Sequence, residues 1–288
     1  MRSKLFVPSI RPDLFPKAIS SGADAVCFDL EDGVPADRKA EARENLSAFL
    51  STFNSGHPAL LVRVNHAASA NLQLDIEAVA GAHLMAIAVP KVETIEEISR
   101  VDELLTRIEH ERGLENSITL LVTIESPRGL RCAAELAQGS PRILGLQLGF
   151  ADLFEPLGIS STDALARNYV RLMLRLAAAE ANVDCYESAY PLFNDEPGFL
   201  AQLKYARSLG FAGASCIHPS QISSANRVFS PTDEEIQYAK GVLIAAEEAS
   251  RQGSAIAQYN GKMIDAPFLQ RARSILAASG KLSCETDT

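Results

Sequence analysis

Five cysteines in 288 residues are few, and no two of them form a Cys-x-x-Cys pair. Cys27, Cys132, Cys185 and Cys216 lie in apolar strand-like or helix-like stretches, and together with Cys284 they read as reduced core thiols. No apolar run approaches the length of a membrane span, and none opens the chain as a secretory leader would, so a cytoplasmic protein is expected. Positive charge is in deficit: 27 Lys and Arg against 36 Asp and Glu leave a formal net charge of −9. That balance argues against nucleic acid and against an anionic membrane as partners, and a phosphorylated ligand would need a local basic patch. No Gly-x-Gly-x-x-Gly turn follows the first apolar strand, and no P-loop occurs to cradle phosphate.

What the chain has is 47% apolar residues, enough to bury a large core in one α/β barrel or in two smaller domains. Its organising stretch is residues 120–152. In Leu120-Leu121-Val122-Thr123-Ile124-Glu125, alternation sets Leu120, Val122 and Ile124 against Leu121, Thr123 and Glu125. A helical segment over 128–137 follows. Residues 143–149 then repeat the pattern, with Leu144, Leu146 and Leu148 outward, Gly145, Gln147 and Gly149 opposite, and Asp152 just beyond. A strand, helix, strand unit of this size is a parallel crossover, so Glu125 and Asp152 emerge on the same side of one sheet and can converge. Two such carboxylates with water in the remaining positions suit Mg²⁺; the alternative is a pair of solvated loop acids.

The same rhythm runs along the chain. Apolar strands end near Val7, Asp29, Asn65, Val89, Glu125, Gly149, Tyr190 and His218, separated by helical stretches, among them 94–111, 162–181 and 195–209. Pro12 opens a first helix ending near Ser20, and Asp37 is expected to cap the helix before Gly56. Strand ends recur about every thirty residues, the size of a βα unit. This pattern predicts an α/β fold, a (β/α)8 TIM barrel over residues 1–229. A doubly wound open sheet is the runner-up. Residues 230–288 form a C-terminal helical extension that caps the barrel or lies as a lid over a neighbouring subunit's site.

Barrels carry their chemistry at the C-terminal strand ends, where Glu31, Arg63, Glu125, Asp152 and His218 fall. Leu61, Arg63 and Asn65 share one face of their strand, and Ala25, Cys27, Asp29 and Glu31 share one face of theirs. Arg63 is thus a candidate for binding an anion, with a salt bridge to Asp29 or Glu31 as the alternative. His218 is a candidate general base, with a hydrogen-bonded packing imidazole before Pro219 as the alternative. Lys91 is a candidate Schiff-base lysine, with an ion-pair partner as the alternative that Pro90 and Glu93 favour, since they build no apolar pocket to depress its pKa. Arg11 and Lys17 are scattered cations on the first loop and helix.

Eight short words in order resemble the citrate lyase β-chain, or HpcH/HpaI aldolase-like, superfamily, and within it the malyl-CoA and citramalyl-CoA lyase branch. They are Leu5-Phe6-Val7-Pro8 with Arg11-Pro12, Asp24-Ala25-Val26 through Asp29-Leu30-Glu31-Asp32, Val62-Arg63-Val64-Asn65, and Pro90-Lys91-Val92-Glu93. Ile124-Glu125-Ser126, Gly149 to Asp152, Ile217-His218-Pro219-Ser220-Gln221 and Met263-Ile264-Asp265-Ala266-Pro267 complete the set. The resemblance implies a TIM barrel that assembles as homotrimers or hexamers, with Mg²⁺ or Mn²⁺ held by Glu125 and Asp152. It implies that Arg63 binds the substrate carboxylate or the developing enolate, and that Phe6, Arg11 and Lys17 lie near the substrate or CoA. Asp29, Glu31 and Asp32 would orient these groups, and Asp265 would come from an adjacent subunit to move a proton at carbon.

The implied activity is cleavage of a β-hydroxyacyl-CoA (malyl, citramalyl or citryl) into a 2-oxo acid and an acyl-CoA. An aldolase on free 4-hydroxy-2-oxo acids, a malyl-CoA thioesterase or malate synthase-like activity, and a non-catalytic scaffold are the alternatives. Two departures stand out. Ser9-Ile10 follows the first word where glycine or alanine is common, and Phe150 replaces a small residue before Ala151, where its bulk is expected to reshape the acyl pocket.

Overall fold

The computed structural model describes residues 1–279 apart from 55, 116 and 255, so Cys284 lies outside the described residues. Eight parallel strands close into a barrel in sequence order, β1 (Ser3–Pro8), β2 (Ala25–Asp29), β3 (Ala59–Arg63), β4 (Leu84–Val89), β5 (Thr119–Ile124), β6 (Ile143–Leu148), β7 (Asp184–Glu187) and β8 (Gly213–Cys216). β8 returns to β1 through Ser3, Lys4 and Leu5, which sit beside Ala214, Ser215 and Cys216. The crossovers are helical: α1 (Phe15–Ile19), α2 (Lys39–Thr52), α3 (Asn71–Val79), α4 (Ile95–Arg112), α5 (Pro127–Arg131), α6 (Ala133–Ala137), α7 (Phe150–Phe154), α8 (Ala164–Glu180), α9 (Glu196–Ser208) and α10 (Ile222–Phe229).

Alternation along the strands separates two buried layers. Leu5, Val26, Phe28, Leu60, Val62, Ile87, Val122 and Leu146 pack outward against the helices, while Ala25, Cys27, Leu61, Ala86, Ala88, Leu121 and Tyr186 fill the interior. Small interior residues leave room for polar ones nearer the mouth. Caps place the long helices: Thr94 and Glu97 form a capping box on α4, which stops at left-handed Gly113, and Asp163 and Asp195 cap α8 and α9. At the strand-start end, Arg142 joins the barrel wall to α4. It donates to Asp102 at 2.5 Å, to both oxygens of Glu109 at 2.8 and 2.6 Å, and to the Ile118 carbonyl at 3.0 Å.

Several expectations are corrected. Asp37 lies within a 3-10 turn (Ala36–Arg38), and α2 begins after it with no side-chain cap. The helix expected over 128–137 is broken at Cys132 into α5 and α6. The first helix is a 3-10 turn (Pro12–Leu14) followed by the short α1. Leu144 faces the barrel interior rather than the helices, because the β5–β6 register shifts there and Leu121 pairs with Gly145. Phe150 turns away from the mouth: its ring packs on Phe154 and under the guanidinium groups of Arg167 and Arg171, at 4.6 and 5.2 Å. Cys27, Cys185 and Cys216 are buried and Cys132 half-buried, all as free thiols.

From residue 230 to residue 279 the described residues form a second compact unit. It holds α11 (Asp233–Arg251), a hairpin of β9 (Ala257–Tyr259) and β10 (Lys262–Ile264), and α12 (Ala266–Ala278), packed around Ile236, Val242, Ile264 and Leu276. The two helices are those expected of the C-terminal extension, and the short hairpin joins them. Asn260 and Gly261, at φ 49° and 75°, make the two-residue turn whose backbone twist matches paired strands. Among the described residues no helix is long and apolar enough to cross a membrane.

Candidate active site

A cavity of about 440 Å³ opens among residues at and just beyond the C-terminal ends of the barrel strands, where the parallel topology gathers every βα loop. Glu125 and Asp152 both line it, one following β5 and the other on α7. Glu125 is buried, and its Oε1 accepts the backbone N–H of Lys91 at 2.9 Å. Burial first, then the charge of Asp152 and a hydrogen bond to it, push the Glu125 carboxyl up to about 8. The pair is therefore short of positive charge. No three His, Cys, Asp or Glu side chains among the described residues converge as a full metal cage. Two hard oxygen donors beside open space nevertheless fit Mg²⁺, which keeps several waters and uses one or two carboxylates. Gly149 makes the arrangement possible, since a Cβ there would stand 2.7 Å from the Glu125 Cβ and closer still to Oε2.

Arg63, the last residue of β3, grips Asp29, the last residue of β2, through Nε at 2.8 Å and Nη2 at 2.6 Å. Asp29 also accepts the backbone N–H groups of Glu31 at 2.9 Å and Gly33 at 2.8 Å, so both its oxygens carry two bonds. Gly33 has no room for a side chain, because a Cβ would lie 2.5 Å from Asp29 Oδ2. Burial opposes the Arg63 charge, but Asp29 and Glu31 outweigh it and raise the pKa. Arg63 Nη1 stands 3.1 Å from Glu31 Oε2, an ion pair that leaves this oxygen without a hydrogen-bond partner. The guanidinium also lies 5.2 Å from the centroid of the Phe6 ring, which lines the cavity.

Glu31 is buried and its carboxyl pKa is raised, burial outweighing the opposing charges of Arg63 and Lys91. Lys91 Nζ donates to Glu31 at 2.7 Å and approaches Asp32 at 3.3 Å, the ion pair expected for it. Asp32 is exposed and lines the rim. Asn65 departs from Arg63's face: beyond the end of β3 it donates to Asp75 on α3 and to the Leu30 carbonyl. His218 caps a 3-10 turn by accepting from Ser220 N–H, and its ring stacks on Phe193. Arg11 and Lys17 are both exposed and do not line the cavity; Arg11 pairs with Asp13 at 2.7 Å. Asp265 is an exposed residue of the second unit, at the N-cap position of α12, and its side chain makes no cap bond.

The site also contains residues that sequence reasoning did not single out. Gln147 and Ser215 line the cavity, and the fully buried Lys4 reaches Gln147 from β1. Lys4 is two residues before Phe6, so the alternation that turns Phe6 inward was the available signal.

The HpcH/HpaI aldolase/citrate lyase profile matches residues 2–219. The chain belongs to this family. It is 34% identical over 277 residues to the citrate lyase subunit beta of Leuconostoc mesenteroides subsp. cremoris, covering 96% of this chain and 92% of that one. It is 35% identical to a (3S)-malyl-CoA thioesterase of Cereibacter sphaeroides, covering 96% and 93%. Among solved structures, CitE from Mycobacterium tuberculosis in complex with magnesium, acetoacetate and coenzyme A superposes with a TM-score of 0.76 at 30% identity, covering 97% of this chain and all of that one. The HpcH/HpaI chain described here is accordingly an enzyme of a carbon–carbon lyase family.

Proposed function

We propose that this protein is a Mg²⁺-dependent lyase that cleaves a β-hydroxyacyl-CoA of the malyl, citramalyl or citryl type into a 2-oxo acid and an acyl-CoA. The observation that carries this reading is that the Glu125–Asp152 pair and Arg63 line one cavity. Glu125 and Asp152 would hold the metal, which when bound supplies Lewis-acid polarisation of the substrate's carboxylate and hydroxyl oxygens. The Lys91 N–H keeps Glu125 aimed at that position. The hydroxyl proton passes to solvent water at the open mouth, its oxygen becomes the 2-oxo carbonyl, and the carbon–carbon electron pair moves onto the thioester carbonyl, leaving an enolate. Arg63, fixed by Asp29, offers a permanent charge and directed N–H groups to that oxygen. Glu31 and Asp32 hold the Lys91 ammonium, and Glu31 turns its other oxygen to Arg63.

Asp265 is the proton carrier at carbon in this reading, supplied by a second copy in a homotrimer or hexamer; its exposure and lack of a cap bond support an outward-directed role. Arg11 and Lys17 are the exposed cations offered to the CoA phosphates. The thioesterase relative favours a second reading, in which water intercepts the thioester. One assay separates the possibilities: purified protein with Mg²⁺, given malyl-CoA, citramalyl-CoA and free 4-hydroxy-2-oxo acids, followed for 2-oxo acid and free CoA. Oxo acid with an acyl-CoA supports the lyase. Free CoA without oxo acid makes the protein a thioesterase, and cleavage of the free acids alone removes CoA from the reaction. Full activity in Glu125→Ala would sink the metal assignment.

A further inference from the structure

Lys4 lies on β1 inside the barrel and is 1% exposed. Its Nζ donates to Gln147 Oε1 at 2.7 Å and stands 5.1 Å from the centroid of the Phe6 ring. Among the described residues no carboxylate forms an ion pair with it, and the Arg63 guanidinium opposes its charge. Arg63 and Lys91, by contrast, are both matched by acids. Burying an ammonium without a counter-charge destabilises a fold, and such groups persist where a site uses them. Burial lowers the Lys4 pKa to about 8, which leaves it mostly charged at neutral pH.

Gln147 is pinned at both ends. Its Oε1 also accepts Ser215 Oγ–H at 3.1 Å, and its Nε2 donates to the carbonyls of Leu148 at 2.9 Å and Glu187 at 3.0 Å. Gln147 and Ser215 line the same cavity as Arg63 and Glu125. We propose that Lys4 is a positioning residue of this site, holding Gln147 and Ser215 in one orientation and setting an unneutralised positive charge near the anion that forms during cleavage. The proposal rests on the lyase reading above. Lys4 does not line the cavity, so it acts through Gln147 and through its field.

The test is Lys4→Met, an unbranched apolar replacement of similar length, assayed beside the wild type with Mg²⁺ and the thioester that the wild type cleaves. The expected result is a kcat lower by about tenfold or more, with KM within about threefold, because the charge acts on the developing anion rather than on the bound substrate. The melting temperature should stay level or rise, since an unpaired buried charge has been removed. Unchanged kcat, or a change confined to KM, overturns the role. So does a melting temperature lower by more than about 5 °C, which would make Lys4 a packing residue. A wild type that releases no oxo acid from any thioester instead overturns the lyase reading, an outcome visible before the variant is measured.

Discussion

The backbone N–H of Lys91 points at Glu125 Oε1 from 2.9 Å, while the ammonium of the same residue turns to Glu31 at 2.7 Å. Lys91 reaches both because its backbone is left-handed, at φ 54°. Glycine adopts that conformation without strain and keeps the N–H. Lys91→Gly should therefore bind Mg²⁺ at least as tightly as the wild type by calorimetry, since the N–H to Glu125 is kept while a positive charge is lost and Glu31 is left with one cationic partner fewer. A tenfold loss of affinity would show that the side chain, and not the backbone, holds Glu125 in place.

Gly149→Ala should be far more damaging than its size suggests. The new methyl would collide with the side chain of Glu125, the proposed metal ligand, 2.7 Å from its Cβ. Mg²⁺ affinity should fall by at least about tenfold, roughly 1.4 kcal/mol, with the circular dichroism spectrum unchanged. Wild-type affinity would mean that Glu125 can move aside without losing its ligand role.

The raised Glu125 carboxyl makes the metal-free protein sensitive to alkali. Its folded pKa of about 8 exceeds the ordinary glutamate value of 4.5, so across that window the folded state holds the proton and the unfolded state does not. Stability from this group is complete below about pH 4.5 and is lost as pH rises through 8, with a slope of at most about 1.4 kcal/mol per pH unit. Denaturation of metal-free protein across pH 5–9 should show that fall, and Glu125→Gln should flatten it. Saturating Mg²⁺ should also remove the slope by stabilising the carboxylate form.

Arg63→Lys is not a conservative change. A lysine cannot reproduce the two-point grip on Asp29 and still present a third N–H group towards Glu31. Turnover should drop by at least about tenfold, corresponding to roughly 1.4 kcal/mol of transition-state stabilisation. An unchanged kcat/KM would place Arg63 outside the chemistry.

For Asp265 the decisive experiment is complementation. Asp265→Ala and Arg63→Ala subunits, each inactive alone, are mixed and refolded together, and mixed oligomers are verified by mass spectrometry. Activity returns if one subunit's Asp265 serves another's Arg63. Verified mixed oligomers that stay inactive would end the shared-site reading.

Much of this was legible beforehand for a physical reason. Parallel crossovers bring strand ends to one side, so Asp29, Arg63, Glu125 and Asp152 could be gathered from local alternation alone. Alternation also put Lys4 on the inward face of Phe6, but its burial comes from the closure of β8 onto β1, a contact between residues more than two hundred positions apart that no local pattern shows. Phe150 was misjudged for a similar reason: it turns away because Arg167 and Arg171 on a later helix offer its ring a better surface than the cavity does. The Asn260-Gly261 turn was visible as a dipeptide, but the three-residue strands beside it are too short to show a period.

Arg142 has a consequence for how this chain can change over generations. Its bonds to Asp102, Glu109 and the Ile118 carbonyl fasten α4 to the barrel at the opposite end from Glu125 and Arg63. Substitutions that re-aim the mouth loops leave that fastening intact, so a lineage can try new substrates without first surrendering a folded barrel.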